Sequence, residues 1–108
     1  MDSSVTLGID PPGALLTVAG EFDAEATPEL EDKLDIAVQQ GCTLFKVDVG
    51  AVTFVDATAL GLLVRLQNSL KPLEGQVVVV AASEHFRWAA TVAGLGDAFG
   101  LDRLPGFE

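Results

Sequence analysis

One stretch of the chain gathers a carboxylate, a hydroxyl and a glycine at the opening of an apolar run: Val55-Asp56-Ala57-Thr58-Ala59-Leu60-Gly61. An aspartate there is a favoured helix N-cap, because its side chain accepts the orphan N–H groups of the first turn. Ala57, Thr58 and Ala59 then form that turn, and Leu60 to Leu66 bury the helix against a sheet. A strand that ends at a helix N-terminus is a common place for α/β proteins to bind or switch. Bond-making chemistry is a weaker reading. Asp56, Thr58 and the acid at Asp23 have no base, metal cluster or phosphate-cradling glycine loop beside them. With one cysteine, Cys42, and one histidine, His85, the composition argues against metal-ligand clusters and against Ser-His or Cys-His nucleophile pairs. Cys42 reads as a small, half-buried hydrophobe. The Thr58 hydroxyl is expected to bond the cap. Gly61 costs about 1 kcal/mol of helix stability relative to alanine. That cost fits close approach by a partner backbone or by a neighbouring strand.

The elements that must position these residues can be read in order. Residues 4–10 and Ala14 to Ala19 flank Pro11-Pro12-Gly13, a strong turn signal, and predict an antiparallel hairpin. Gly20-Glu21-Phe22-Asp23 is expected to leave the sheet, with Glu21 and Asp23 as acids at the strand's end. Thr27-Pro28-Glu29 reads as a helix start with Thr27 as cap, and Leu30, Leu34, Ala37 and Val38 fall on its inner face until Gly41. A buried strand over Leu44 to Val49 follows, then a short connection carrying the half-buried Val52 and Phe54. The helix opened by Asp56 ends at Lys71-Pro72. The valine run of Gln76 to Ala81 suits a strand covered on both faces. Ser83 caps a third helix, Glu84 to Ala93, with Phe86, Ala89, Ala90 and Ala93 inward and Trp88 partly exposed beside Val92. Ala98 to Leu101 adds a short last strand, and residues 104–108 form a loose tail. This order predicts an α/β fold: a mixed sheet of four to five strands, an N-terminal antiparallel hairpin and about three helices.

The 108 residues correspond to one domain, and 49% hydrophobic content supports a compact Val, Leu and Ala core. No apolar run approaches the ~20 residues that span a bilayer. The first ten residues carry no signal-peptide pattern, so a cytoplasmic location is expected. Sixteen acidic residues against six basic ones give a net charge of −10. That balance argues against nucleic acid and against anionic membrane surfaces. It fits a soluble monomer, or a partner that presents a basic surface.

Three local patterns in this order resemble the STAS domain of stand-alone bacterial anti-sigma factor antagonists. AGEFDAEATPEL, Ala19 to Leu30, looks like the family's Gly-Glu-x-Asp strand ending followed by a helix whose leucine packs inward. VTFVDATALG, Val52 to Gly61, is similar to the family's turn Asp-Ser-Ser/Thr-Gly-Leu-Gly after an apolar strand. VAGLGDAFGL, Val92 to Leu101, looks like the Thr-Gly-Leu segment after the third helix. Together they span about the whole chain.

The resemblance implies a non-enzymatic switch with no cofactor, docking through Asp23, Asp56, Ala57, Thr58, Ala59, Leu60 and Gly61. The implied partner is an anti-sigma factor that is also a serine kinase of the histidine-kinase-like ATPase class. In the family, the antagonist sequesters that factor and frees a sigma factor. Phosphorylation of the first hydroxyl residue after the turn's Asp breaks the complex. Here that position is Ala57, and Ala59 stands where glycine is usual. Three consequences follow: a permanently binding form, transfer of the phosphate to Thr58, or a partner that is no kinase. Thr58 lies roughly one hundred degrees of helix rotation away from the usual acceptor. Small STAS proteins also resemble the cytoplasmic accessory subunit of phospholipid-transporting ABC complexes, which is the alternative reading.

Overall fold

The computed structural model describes residues 3–101 and 104. Strands β1 (Ser4–Asp10) and β2 (Gly13–Phe22) form the expected antiparallel hairpin, with Leu7 opposite Leu16. Strand β3 (Leu44–Val55) lies parallel to β2, and β4 (Gln76–Ala82) lies parallel to β3, giving the order β1-β2-β3-β4. Helices α1 (Thr27–Gln39) and α2 (Ala57–Leu70) make the two crossovers, and α3 (Glu84–Val92) follows β4.

Period-2 alternation decides which sheet face is covered. Ala14, Leu16 and Val18 of β2, Phe45, Val47 and Val49 of β3, and Val77 and Val79 of β4 are buried. They share one core with Leu30, Leu34 and Ala37 of α1 and Leu63, Leu66 and Leu70 of α2. Each large side chain removed from water contributes about 1.5–3 kcal/mol. An exposed pair such as Lys33–Glu29, at 3.4 Å, contributes under about 1 kcal/mol. Apolar burial, not surface charge, therefore holds the fold.

The structure differs from the sequence expectations in several places. Gly20, Glu21 and Phe22 stay in β2 and pair with Val52, Phe54 and Val55 of β3, so neither strand ends where its glycine suggested. Register shifts at Thr17/Ala19 and Gly20/Glu21 absorb the break in pattern, as β-bulges do. Val52, expected in a connection, is a buried strand residue. Thr27 is the first residue of α1 and not its cap; the cap position is Ala26, and the Thr27 hydroxyl donates back to Ala24 O at 3.1 Å. Cys42 is fully buried, its Sγ 3.4 Å from Gly13 O.

Toward the C-terminus, the valine strand is covered on one face only. Val77 and Val79 are buried, while Val80 is 42% exposed. Ala93 follows the last residue of α3 as its C-cap and is exposed. Ala98 to Leu101 forms turns that pass into a 3-10 turn at Leu101, not a strand: among the described residues one backbone bond, Val79 N–H to Phe99 O at 2.9 Å, joins it to β4. Phe99 and Leu101 are nonetheless fully buried, so the segment was apolar for packing and not for pairing. Leu104 packs half-buried against the core; the rest of the expected tail lies outside the described residues.

Candidate functional site

Because β2 and β3 are parallel, their carboxyl ends finish side by side, with Phe22 opposite Val55. The next residue of each strand is an aspartate. The Asp56 backbone is extended (φ −111°, ψ 176°), and its N–H donates to Phe22 O at 3.3 Å. Its side chain caps α2 as expected: Oδ1 accepts the Ala59 N–H at 3.0 Å. The other oxygen, Oδ2, accepts the Ala24 N–H at 3.1 Å, from a residue 32 positions away. One carboxylate thus fastens the β2–α1 loop to the first turn of α2. Within that loop, Asp23 Oδ1 accepts the Glu25 N–H at 3.1 Å and Asp23 O accepts the Ala26 N–H at 3.0 Å. Both aspartates are half-buried. Since each oxygen of Asp56 accepts a backbone amide, the carboxylate acts as a clamp between the two segments.

The seven residues singled out in the sequence do come together at one end of the sheet, but they play different parts. Ala57 and Thr58 are exposed on the first turn of α2, and Gly61 is half-buried. Ala59 and Leu60 are 0% and 7% exposed, so their side chains serve the core and set the height of the tip, offering little surface of their own. The expected bond from the Thr58 hydroxyl to the cap is not made. The Ala59 amide fills the cap, and Thr58 has no side-chain hydrogen bond among the described residues. Nor does a neighbouring strand account for Gly61. A Cβ there would meet only Arg65 Nη1, at 3.7 Å.

Two further features adjoin the tip and were not legible in the sequence. Glu21, Asp23, Glu25 and Glu29 line an open groove of about 460 Å³ between the start of β1 and the start of α1. On the other side, β3 runs on past its last pairing with β4, Val49 to Ala82, and α3 packs beside the overhang. There the Phe54 ring stacks on His85 with centroids 5.7 Å apart, and His85 meets Trp88, also at 5.7 Å. His85 Nε2 is shut from solvent and has no hydrogen-bond partner among the described residues. The single histidine reads as isolated in the sequence; only the placement of α3 against β3 reveals its neighbours.

This geometry sits on a chain with clear relatives. A family profile described as "Mlab, STAS domain" matches residues 5–104. The chain is 31% identical over 80 residues to an anti-sigma-B factor antagonist of Staphylococcus epidermidis, covering 74% of each chain. It is 29% identical over 90 residues to one from Listeria monocytogenes, covering 82% of this chain and 78% of the relative. The fold matches the anti-sigma factor antagonist SpoIIAA in its unphosphorylated form with a TM-score of 0.80. That match has 22% identity and covers 88% of this chain and 84% of that one. The chain belongs to the STAS domain family.

Proposed function

We propose that this chain is a cytoplasmic, non-enzymatic anti-sigma factor antagonist, one STAS domain that sequesters an anti-sigma factor and so frees a sigma factor for transcription. The relatives' names support this reading over the accessory subunit of a phospholipid-transporting ABC complex. The observation that carries it to particular residues is the clamped tip of α2. Asp56 ties that tip to the Asp23 loop, while Ala57 and Thr58 face outward on it. No helix among the described residues is long and apolar enough to cross a membrane.

The partner is an anti-sigma factor of the serine-kinase, histidine-kinase-like ATPase class. Its usual phosphate acceptor is missing here, because Ala57 has no hydroxyl. The chain is therefore held permanently in its binding form and controlled by expression. A phosphate adds bulk and about −1.5 to −2 charge that must be desolvated, which would displace a partner packed closely on this tip. One observation favours a second reading, in which Thr58 takes the phosphate: its side chain is exposed and free of hydrogen bonds. The test is calorimetric titration of the wild type and Ala57→Glu against each purified anti-sigma factor of the same genome. The wild type is expected to bind one of them and the charged variant to lose that binding. Equal affinity of both, or no binding by the wild type, would overturn the assignment.

A further inference from the structure

We propose that the apolar stripe of α3 together with Phe54 forms the second half of the docking face, seating an aliphatic segment of the partner that is flanked by Lys or Arg. The inference rests on reading the α2 tip as the docking site and deepens it by naming the chemistry of the occupant. His85, Trp88 and Val92 recur at the spacing that places them on one side of α3. Trp88 is 62% exposed and Val92 70%, and Phe54, joined to the stripe through His85, is 44% exposed. Isolated apolar residues on a surface are ordinary, but a joined aromatic patch marks an interaction site. Tryptophan in particular supplies large contact area at low entropic cost, which is why it dominates interface energetics.

The patch is continuous with the tip, since Phe54 and Asp56 are two residues apart at the end of β3. Charge defines the occupant. Glu84 in the first turn of α3, Asp56 two residues beyond Phe54, and Glu21, paired with Phe54 from β2, place acid beside it. Arg87, the cation on α3, donates its Nε–H to Ala82 O at 3.2 Å. Lys46 and Lys71 lie toward the opposite end, at the start of β3 and after α2. An apolar patch with acid at its tip-facing side suits aliphatic side chains flanked by cations. It disfavours a second copy of a chain carrying net charge −10.

Trp88 is the chain's single tryptophan, so fluorotryptophan incorporated into this chain reports on the patch alone. The probe is the anti-sigma factor that binds the wild type in the titration above. Its addition is expected to shift the Trp88 fluorine resonance saturably. Trp88→Ala and Val92→Ala are expected to keep the wild-type circular dichroism and weaken binding by about 10- to 100-fold, the range of an interface anchor. Raising the salt concentration is expected to weaken the wild-type complex, as acids facing cations require. If Trp88→Ala binds within twofold of wild type while Ala57→Glu abolishes binding, the patch proposal is overturned and the tip reading stands. If no anti-sigma factor binds the wild type, both fall. A resonance shift driven by this chain's own concentration, with a dimer in sedimentation, would assign the patch to a second copy and overturn the proposed occupant.

Discussion

The substitution Gly61→Ala separates what the fold requires from what a docking partner requires. Gly61 lies in the second turn of the 14-residue α2, the only glycine within α1, α2 or α3. In a helix interior, glycine costs about 0.8–1 kcal/mol relative to alanine, because the unfolded chain loses more freedom on folding. Nothing in the fold offsets that cost. The added Cβ would lie 3.7 Å from Arg65 Nη1, ordinary van der Waals contact. Arg65 itself is held by an exposed pair to Glu31 at 3.1 Å, which contributes under about 1 kcal/mol and can shift. The variant is therefore expected to be more stable by about 1 kcal/mol, raising Tm by about 4–8 °C at this size. Urea denaturation followed by circular dichroism measures it, with an unchanged m value as evidence that the native and denatured states keep their compactness. On the proposed docking, the same methyl intrudes on a partner packed against the tip. Overpacking a close contact costs about 1–3 kcal/mol, so affinity for the proposed anti-sigma factor should fall by about 5- to 150-fold. A neutral or destabilised variant would refute the stability argument. A stabilised variant with unchanged affinity would remove Gly61 from the docking face.

The clamp makes a graded prediction. Asp56→Ala loses the α2 cap, about 1 kcal/mol, and the bond to Ala24, about another 1 kcal/mol. Asp56→Asn keeps an oxygen for the cap but turns an amide N–H toward that of Ala24, so it should lose about half as much and accelerate hydrogen exchange at Ala24 selectively. Equal stabilities of the two variants would show that the cap contributes nothing, and an Asp56→Asn variant as stable as the wild type would show the same of the loop tie. Gly75→Ala is the contrasting glycine change, since its Cβ would sit 2.3 Å from the Thr43 carbonyl oxygen, which accepts the first N–H of β4. A loss of about 2–3 kcal/mol in urea denaturation is expected, and a loss below about 1 kcal/mol would contradict the stated geometry.

Most features set by neighbouring residues were legible in the sequence, the Thr27 cap and the Thr58 hydroxyl bond excepted, and features set by distant pairing were not. The caps at Asp56 and Ser83, the Pro-Gly hairpin turn and the apolar faces of α1 and α2 depend on residues within a turn or two of each other. The reach of β2 and β3 does not. Gly20 and Gly50 look like breaks, yet bulged parallel pairing between residues 20–22 and 52–55 carries both strands on to Asp23 and Asp56. That extension is what brings the two aspartates together. The resemblance placed the seven site residues in one region, but only burial separates Ala59 and Leu60, which support the tip, from Ala57 and Thr58, which form its surface. The Phe54–His85–Trp88 cluster needs α3 laid beside the β3 overhang, which no local pattern encodes.

The most direct measurement follows the complex with the proposed kinase-class anti-sigma factor after ATP is added, for the wild type and for Ala57→Ser. The account predicts that mass spectrometry finds no phosphate on the wild-type chain, which stays bound. The serine variant is predicted to gain one phosphate at position 57 and dissociate. Phosphate on Thr58 with release of the wild type, or a serine variant that stays unmodified under an active kinase, would contradict it.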